Sequence, residues 1–139
     1  MSNVDEDEYS RWMASAQTTL NSAVRDLRGK DYNWACFKSH QAAEKALKAL
    51  LWGSGNPRYG HSLKKLYEAL ENLVGGDEKV LEDCLRLDKY YTATRYPDVW
   101  ESGMPEEYFS ENEAGEAVKR AEDVLAWVRW KWESLKKEG

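Results

Sequence analysis

The two histidines of the chain are the side chains best suited to proton transfer near neutral pH. His40 is followed after four residues by Glu44, a spacing that can place both side chains on one helix face. A carboxylate beside an imidazole adjusts the histidine pKa for acid–base work. The alternative is a hydrogen-bonded histidine of the core, because His40 also lies on an apolar stripe. His40 is thus a candidate ligand contact if it is not a core histidine, and Lys45 follows Glu44 on the same helix.

The second histidine, His61, directly precedes Ser62, which is a predicted helix N-cap. The backbone N–H groups at a helix N-terminus point outward and bind anions such as phosphate, and a histidine there can assist. Arg58 and Lys64 add positive charge to the same segment. The alternative is that His61 packs on the loop and caps the helix. His61 is thus a candidate phosphate contact.

The segment from Arg95 to Asp98 reads Arg-Tyr-Pro-Asp and is the most distinctive in the chain. Asp88, Tyr91 and Arg95 follow one another at spacings of three and four, so they share one face of a predicted helix. Arg95 is expected either to pair with the helix dipole or Asp98, or to bind a phosphate through two parallel hydrogen bonds. Asp88 is expected to pair with Arg95 or Lys89, because buried acids need partners.

Tryptophan and tyrosine are abundant, with seven and eight copies in 139 residues. Trp127 and Trp130 lie off the main apolar stripe of the last predicted helix, where exposed tryptophans indicate an association surface. The alternative is a wide buried arc within one subunit. The chain lacks the motifs of phosphate-binding loops, dinucleotide folds, zinc proteases and serine hydrolases. We therefore assign no catalytic residue, metal ligand or cofactor.

Five helices, without a convincing strand, are predicted to position these residues. Apolar residues recur at spacings of three and four in segments bounded by glycine, proline or N-cap residues. The predicted helices span about residues 10–28, 31–52, 62–74, 77–94 and 110–135. Asp31, Ser62 and Ser110 are predicted N-caps, and Glu113 completes a capping box with Ser110. The fourth helix is apolar over a wide arc, which favours a central position. The short connections predict an all-α, up-and-down antiparallel bundle.

The composition is that of a globular protein with one domain, over residues 1–139. Four consecutive acidic residues predict an N-terminal tail over about residues 1–9, and residues 136–139 are predicted to fray. The net charge of −5 argues against broad binding of duplex nucleic acid. No apolar run approaches the ~20 residues that span a bilayer, and no basic leader is present, so we expect a cytoplasmic protein. Cys36 and Cys84 are expected to be buried free thiols.

Three blocks of the chain, in this order, resemble the HEPN family (higher eukaryotes and prokaryotes nucleotide-binding domain). They are Phe-Lys-Ser-His-Gln-Ala-Ala-Glu-Lys-Ala-Leu-Lys-Ala-Leu-Leu at 37–51, His-Ser-Leu at 61–63 and Thr-Arg-Tyr-Pro-Asp at 94–98. The resemblance implies an all-α bundle, often homodimeric, and a partnership with a minimal nucleotidyltransferase. It also implies nucleotide binding or RNase activity, in prokaryotic toxin–antitoxin or defence systems.

The RNase branch of that family carries an arginine followed, after about four to six residues, by a histidine. This chain has no histidine after His61, and Trp100 stands five residues beyond Arg95. The resemblance therefore favours a HEPN protein without catalytic activity. It carries the family's pattern onto residues 95–98, His61 and residues 40–45 of this chain.

Together, the residues and the resemblance predict a homodimer that binds a nucleotide or another phosphate-bearing ligand and partners a nucleotidyltransferase. Arg95 and His61 are the expected phosphate contacts, and Tyr91 or Tyr96 is expected to stack on a base. Two alternatives stay open. One is an RNase toxin that uses His40 or His61 with Arg95, and the other is a structural adaptor whose aromatic surface docks a partner.

Overall fold

The helices of the protein coincide with the apolar segments of the sequence. The computed structural model describes residues 4–138, and this range contains no β-strand. The α-helices are α1 (Glu6–Arg28), α2 (Tyr32–Gly53), α3 (Leu63–Val74), α4 (Glu78–Asp88), α5 (Tyr90–Ala93) and α6 (Glu111–Glu138). Two turns of 3₁₀-helix, Pro97–Val99 and Pro105–Glu107, lie in the connection before α6. Five helices and the single turn of α5 thus form the bundle, which confirms the predicted all-α, up-and-down fold.

Helix α2 is the centre of the bundle, and α1 and α6 pack along it. Small side chains let these neighbours approach closely, and the fully buried alanines of α2 are Ala35, Ala42, Ala43, Ala46 and Ala49. The prediction that the fourth helix is the most central is wrong, because α4 buries one face only and leaves Leu85 exposed. Across residues 4–138, none of the helices combines the length and apolar character that a membrane crossing requires.

The fourth predicted helix is interrupted at Lys89, which separates α4 from α5. The Lys89 N–H donates to the carbonyl of Arg86, three residues back instead of four. The end of α5 is then capped by a side chain, because the Trp100 indole N–H donates to the Ala93 carbonyl at 2.8 Å. The chain therefore leaves the helix just before the Arg-Tyr-Pro-Asp segment.

Helix α1 begins at Glu6, earlier than the sequence predicts. The Tyr9 ring is buried and stacks on Trp132 of α6, with the ring centroids 4.0 Å apart. This contact holds the first turn of α1 against α6, so the predicted N-terminal tail does not hold for residues 6–9. Helix α6 includes residues 136–138. Residues 1–3 and 139 of the predicted termini lie outside the described residues.

The N-caps predicted for α3 and α6 are confirmed, because Ser62 Oγ and Ser110 Oγ each accept the N–H three residues later. The second half of the capping box is absent, because the Glu113 carboxylate accepts the Tyr90 hydroxyl instead. Asp31 precedes α2 but its side chain makes no capping hydrogen bond. Two of the three predicted caps therefore act through their side chains.

Cys36 and Cys84 are buried free thiols, as predicted. Burial, with a smaller contribution from the Glu113 carboxylate, raises the pKa of the Cys36 thiol to about 12. Burial also raises the pKa of the Cys84 thiol. Since the thiolate is the reactive form, both cysteines are inert packing groups at neutral pH.

Candidate functional site

Both histidines bond to carboxylates, but not in the arrangement that the sequence spacing predicts. His40 Nε2 lies 3.2 Å from Asp88 Oδ1, which links α2 to the end of α4. His61 Nδ1 lies 3.0 Å from Glu44 Oε1, which links the loop before α3 to α2. The prediction that Glu44 faces His40 is wrong, because the His40 ring bonds toward α4 while Glu44 bonds to the loop. Tertiary partners outcompete the pair within the helix.

The Asp88 carboxylate closes the N-terminus of α3. Besides His40, it accepts the backbone N–H groups of Leu63 at 2.8 Å and Lys64 at 3.1 Å. Burial by itself raises the pKa of Asp88, but the hydrogen bonds from His40 and the two N–H groups outweigh burial and hold the pKa below its ordinary value. The predicted ion pair between Asp88 and a cation of its own segment is therefore wrong.

Helix α3 consequently offers no open anion site at its N-terminus. Its first N–H groups bond to Asp88, and the N–H of Lys65 bonds to the Ser62 hydroxyl. The protein's own carboxylate occupies the place that the sequence suggests for a phosphate. His61 lies instead against Tyr91, with ring centroids 4.8 Å apart and planes within 19° of parallel. His61 thus lies beside Tyr91 and not at an open helix N-terminus.

Tyr91 lies between the two histidines, which differ in exposure. The His40 ring is tilted against Tyr91 at 5.3 Å and is fully buried, so it cannot contact a ligand directly. The His61 side chain is 54% exposed. Its partner Glu44 is buried and also accepts Lys48 Nζ at 3.0 Å. His61 is therefore an accessible imidazole that is held in place by a buried carboxylate. His40 packs against the Tyr91 ring, on which His61 stacks.

Arg95 completes the cluster from the segment after α5. Its Nε and Nη2 groups both donate to the carbonyl oxygen of Tyr91. Its guanidinium carbon lies 4.2 Å from the ring centroid of Phe37 and 4.9 Å from that of Tyr96, both within reach of a cation–π interaction. It forms no ion pair with any described residue, so the predicted pair with Asp98 is wrong. Phe37, His61, Tyr91, Arg95 and Tyr96 are hereafter called the Tyr91 cluster.

The guanidinium of Arg95 keeps donors for a further partner. A guanidinium has five N–H groups in a fixed fork, and two of those on Arg95 are used within the protein. The Tyr91 carbonyl and the neighbouring rings fix its position before any ligand arrives. Planar, oriented arginines bind phosphate and carboxylate through paired hydrogen bonds. A cation without a counterion beside an exposed imidazole is thus suited to an anionic group.

Two other predicted ligand contacts lie apart from this arrangement. Lys45 Nζ donates to Thr19 Oγ1 of α1 at 2.9 Å, so it lies on the α1 side of α2. Asp98 is exposed in the 3₁₀ turn after Tyr96. Tyr96 itself is 46% exposed and presents its ring beside the guanidinium of Arg95. The structure therefore groups four predicted residues, His40, His61, Tyr91 and Arg95, with Tyr96 at the edge.

The two tryptophans predicted as an interface have different environments. Trp127 is buried and packs against Tyr67 of α3, so it belongs to the core and cannot face a partner. The reason is that α6 buries a wide arc, the alternative that the sequence left open. Trp130 is 62% exposed, with Lys131 Nζ 4.9 Å from its ring centroid. Trp130 alone keeps the character of a surface anchor.

Phe37 and Lys48 take part in the site and were not selected from the sequence. Phe37 supplies the ring closest to Arg95, and Lys48 balances the charge of Glu44. Both lie on the same stripe of α2 as Glu44, at spacings of seven and four residues. That spacing is the signal that could have identified them.

The cluster combines groups that are suited to an anion with groups that are suited to an aromatic ring. An oriented guanidinium, an accessible imidazole and exposed aromatic rings can together hold a planar ring joined to an anion. One accessible histidine supplies one proton-transfer group, and the second histidine is sealed in the core. Within residues 4–138, no three His, Cys, Asp or Glu side chains are grouped as metal ligands.

Comparisons with known proteins agree with this fold. The sequence profile of the HEPN domain matches residues 9–132. A solved structure of TT1696 from Thermus thermophilus is 39% identical, with a TM-score of 0.86, over 88% of this chain and 97% of that chain. ST0689, an archaeal HEPN homologue, is 37% identical, with a TM-score of 0.76, over 88% and 96%. The HEPN domain protein tm0613 from Thermotoga maritima is 34% identical, with a TM-score of 0.71, over 86% and 94%. No curated protein matches the chain.

Proposed function

The chain belongs to the HEPN family, and on that premise we propose that it is a non-catalytic protein that binds a nucleotide or another phosphate-bearing ligand. The observation that carries the proposal is Arg95, an oriented guanidinium with unused donors and no carboxylate partner among the described residues. Exposed His61 lies on the same tyrosine ring and provides a second contact for an anion.

In this proposal the phosphate lies between Arg95 and His61. Tyr91 is half-buried and its ring is stacked with His61, so it acts as the support of the site. Tyr96 is more exposed and lies beside the guanidinium, so it is the better of the two predicted stacking platforms for a base. His40 and Asp88 do not contact the ligand in this proposal. They hold α3 and the loop that carries His61 in place.

A metal-independent RNase is the second candidate, and one observation favours it. Glu44 orients His61 in the way that a carboxylate orients a general base, and Arg95 contacts the same tyrosine ring. RNA cleavage also needs a proton donor for the leaving group, and buried His40 cannot supply one. Incubating the protein with labelled single-stranded RNA decides the matter. Cleavage by wild-type protein that is lost in His61→Ala would replace the binding proposal.

The family also suggests the setting in which binding takes place. We propose a homodimer in the cytoplasm of a prokaryote, partnered with a minimal nucleotidyltransferase in a toxin–antitoxin or defence system. Exposed Trp130 is the proposed anchor for association. Sedimentation of wild-type protein and Trp130→Ala tests its part. A purely structural adaptor is the alternative, and it requires association without any ligand.

Calorimetric titration with AMP and ATP tests the central part of the proposal. Arg95→Gln removes the charge, and Arg95→Lys keeps the charge but loses the fork. Losing a paired charge-assisted hydrogen bond costs about 1.5–3 kcal/mol, or roughly ten- to a hundredfold in affinity. Arg11→Gln is the matched control, because Arg11 is exposed and its side chain bonds only to Glu8 within α1.

The expected result is weaker binding in both Arg95 variants and unchanged binding in the Arg11 control. Urea unfolding of each variant is measured in parallel, because Arg95 also contacts the Tyr91 carbonyl. Equal affinity in wild-type protein and a folded Arg95→Gln variant would exclude Arg95 from ligand binding.

A further inference from the structure

A cleft of about 630 Å³, separate from the Tyr91 cluster, opens between α4, α5 and the first turns of α6. One side of the cleft carries Arg86 of α4, Lys89 at the break between the helices and Tyr90 of α5. The other wall carries Glu113 and Glu116 of α6. No residue of the Tyr91 cluster lines this cleft. Its volume lies within the range of small-molecule sites in proteins.

Two aromatic rings from the connection before α6, Trp100 and Phe109, line the cleft. The Trp100 indole donates its N–H to the Ala93 carbonyl and stacks on Tyr108, with ring centroids 4.0 Å apart. Phe109 meets the same indole edge-on, at 5.8 Å. These contacts hold the indole in one orientation. A ligand that carries a ring therefore meets an apolar wall that is already formed.

The charged side chains that line the cleft carry a net positive charge, since Arg86, Lys89 and Arg120 outnumber Glu113 and Glu116. Neither Arg86 nor Lys89 has a side-chain hydrogen bond or ion pair with any described residue. The acidic groups of the opposite wall already have partners. Glu116 accepts the guanidinium of Arg120 at 2.7 Å, and Glu113 accepts a tyrosine hydroxyl of α5 at 3.2 Å. In a chain of net charge −5, two unpartnered cations beside an aromatic wall form a local anion-attracting surface.

We infer that this cleft binds a small molecule in which a planar ring is joined to an anionic group, a phosphate or a carboxylate. The ring lies against Trp100, and the anion receives charge-assisted hydrogen bonds from Arg86 and Lys89. An anion without a ring makes only the second contact, and a cationic ligand is repelled by Arg86 and Lys89. This inference is independent of the ligand proposed for the Tyr91 cluster.

Heteronuclear NMR with two ring-bearing anions tests the inference. AMP represents a nucleotide and indole-3-acetate represents an aromatic carboxylate, while inorganic phosphate and adenosine supply the anion and the ring separately. The reporters are the Trp100 indole N–H and the backbone N–H groups of residues 86–93 and 110–116. The double variant Arg86→Gln/Lys89→Gln removes both cations. Lys65→Gln/Lys137→Gln removes the same charge from exposed positions outside the cleft.

The expected result is saturable shifts of these reporters with at least one of the two ring-bearing anions, and much smaller shifts with phosphate or adenosine. Affinity falls about tenfold or more in Arg86→Gln/Lys89→Gln but not in the control pair or in Arg95→Gln. The probe that saturates identifies the kind of anion. Absence of shifts with both probes, or equal affinity in the Arg86→Gln/Lys89→Gln variant, would overturn the inference. Shifts confined to the Tyr91 cluster would also overturn it, while leaving the proposed function intact.

Discussion

Asp88→Asn tests how the site is held together. The Asp88 carboxylate accepts hydrogen bonds from His40, from the Leu63 N–H and from the Lys64 N–H, and so joins α2, α3 and α4. Asparagine has nearly the same shape but carries no charge and offers one acceptor oxygen in place of two. The substitution therefore leaves a backbone N–H of α3 without its partner and removes the charge from the other contacts.

The expected loss in the free energy of unfolding at pH 7 is about 2–4 kcal/mol. A hydrogen bond to a charged group contributes about 1.5–3 kcal/mol, and a buried group left without a partner costs about 1–3 kcal/mol. The contributions overlap, so they do not add in full. Urea unfolding gives the value, and Asp98→Asn is the matched control because Asp98 is exposed.

The pH dependence of this loss follows from the direction of the Asp88 pKa shift. Since the pKa of Asp88 in the folded state lies below its ordinary value of 3.8, the stabilisation is complete above that value. It disappears as the pH falls through the lower pKa of the folded state. The difference in the free energy of unfolding between wild-type protein and Asp88→Asn should thus become smaller below about pH 4. Equal stability of Asp88→Asn and Asp98→Asn at pH 7 would refute the role of Asp88.

Further substitutions test the packing around the bundle. In Gly53→Ala, the new methyl group would lie 2.7 Å from the Trp132 ring. We therefore expect urea unfolding to show a loss of about 1–3 kcal/mol in the free energy of unfolding. A variant as stable as wild-type protein would contradict this contact. Trp127→Ala removes a buried ring and should cost about 3–5 kcal/mol. Trp130→Ala should change stability by less than about 0.5 kcal/mol and alter only self-association in sedimentation. Comparable losses of stability in both tryptophan variants would contradict their different burial.

The fold is largely readable from the sequence because apolar spacing and caps act locally. The stripes that define four of the helices and the caps Ser62 and Ser110 depend on neighbours within one or two turns. The break at Lys89 is different, because no glycine or proline marks it. The burial of Tyr9 is likewise hidden, because its neighbours are acidic and its partner Trp132 lies at the other end of the chain.

The site can be predicted only in part, because local patterns do not show which residues other helices contribute. The sequence selects His61, Tyr91 and Arg95 by type and spacing, and the structure brings these three together. The sequence predicts the wrong partners for the carboxylates. A spacing of four residues shows which side chains can meet within a helix, but it does not show which partners the other helices contribute. Asp88 reaches His40 from a separate helix, and no local pattern predicts that contact.

Native mass spectrometry of the protein, purified gently from its own cells, tests the central claim most directly. Wild-type protein and Arg95→Gln are prepared side by side, so that the ligand need not be known beforehand. We expect a dimer that carries the mass of a nucleotide or another phosphate compound, with that mass lost or strongly reduced in Arg95→Gln. A wild-type protein without any bound mass, or the same bound mass in both proteins, would contradict the role of Arg95 as the phosphate contact.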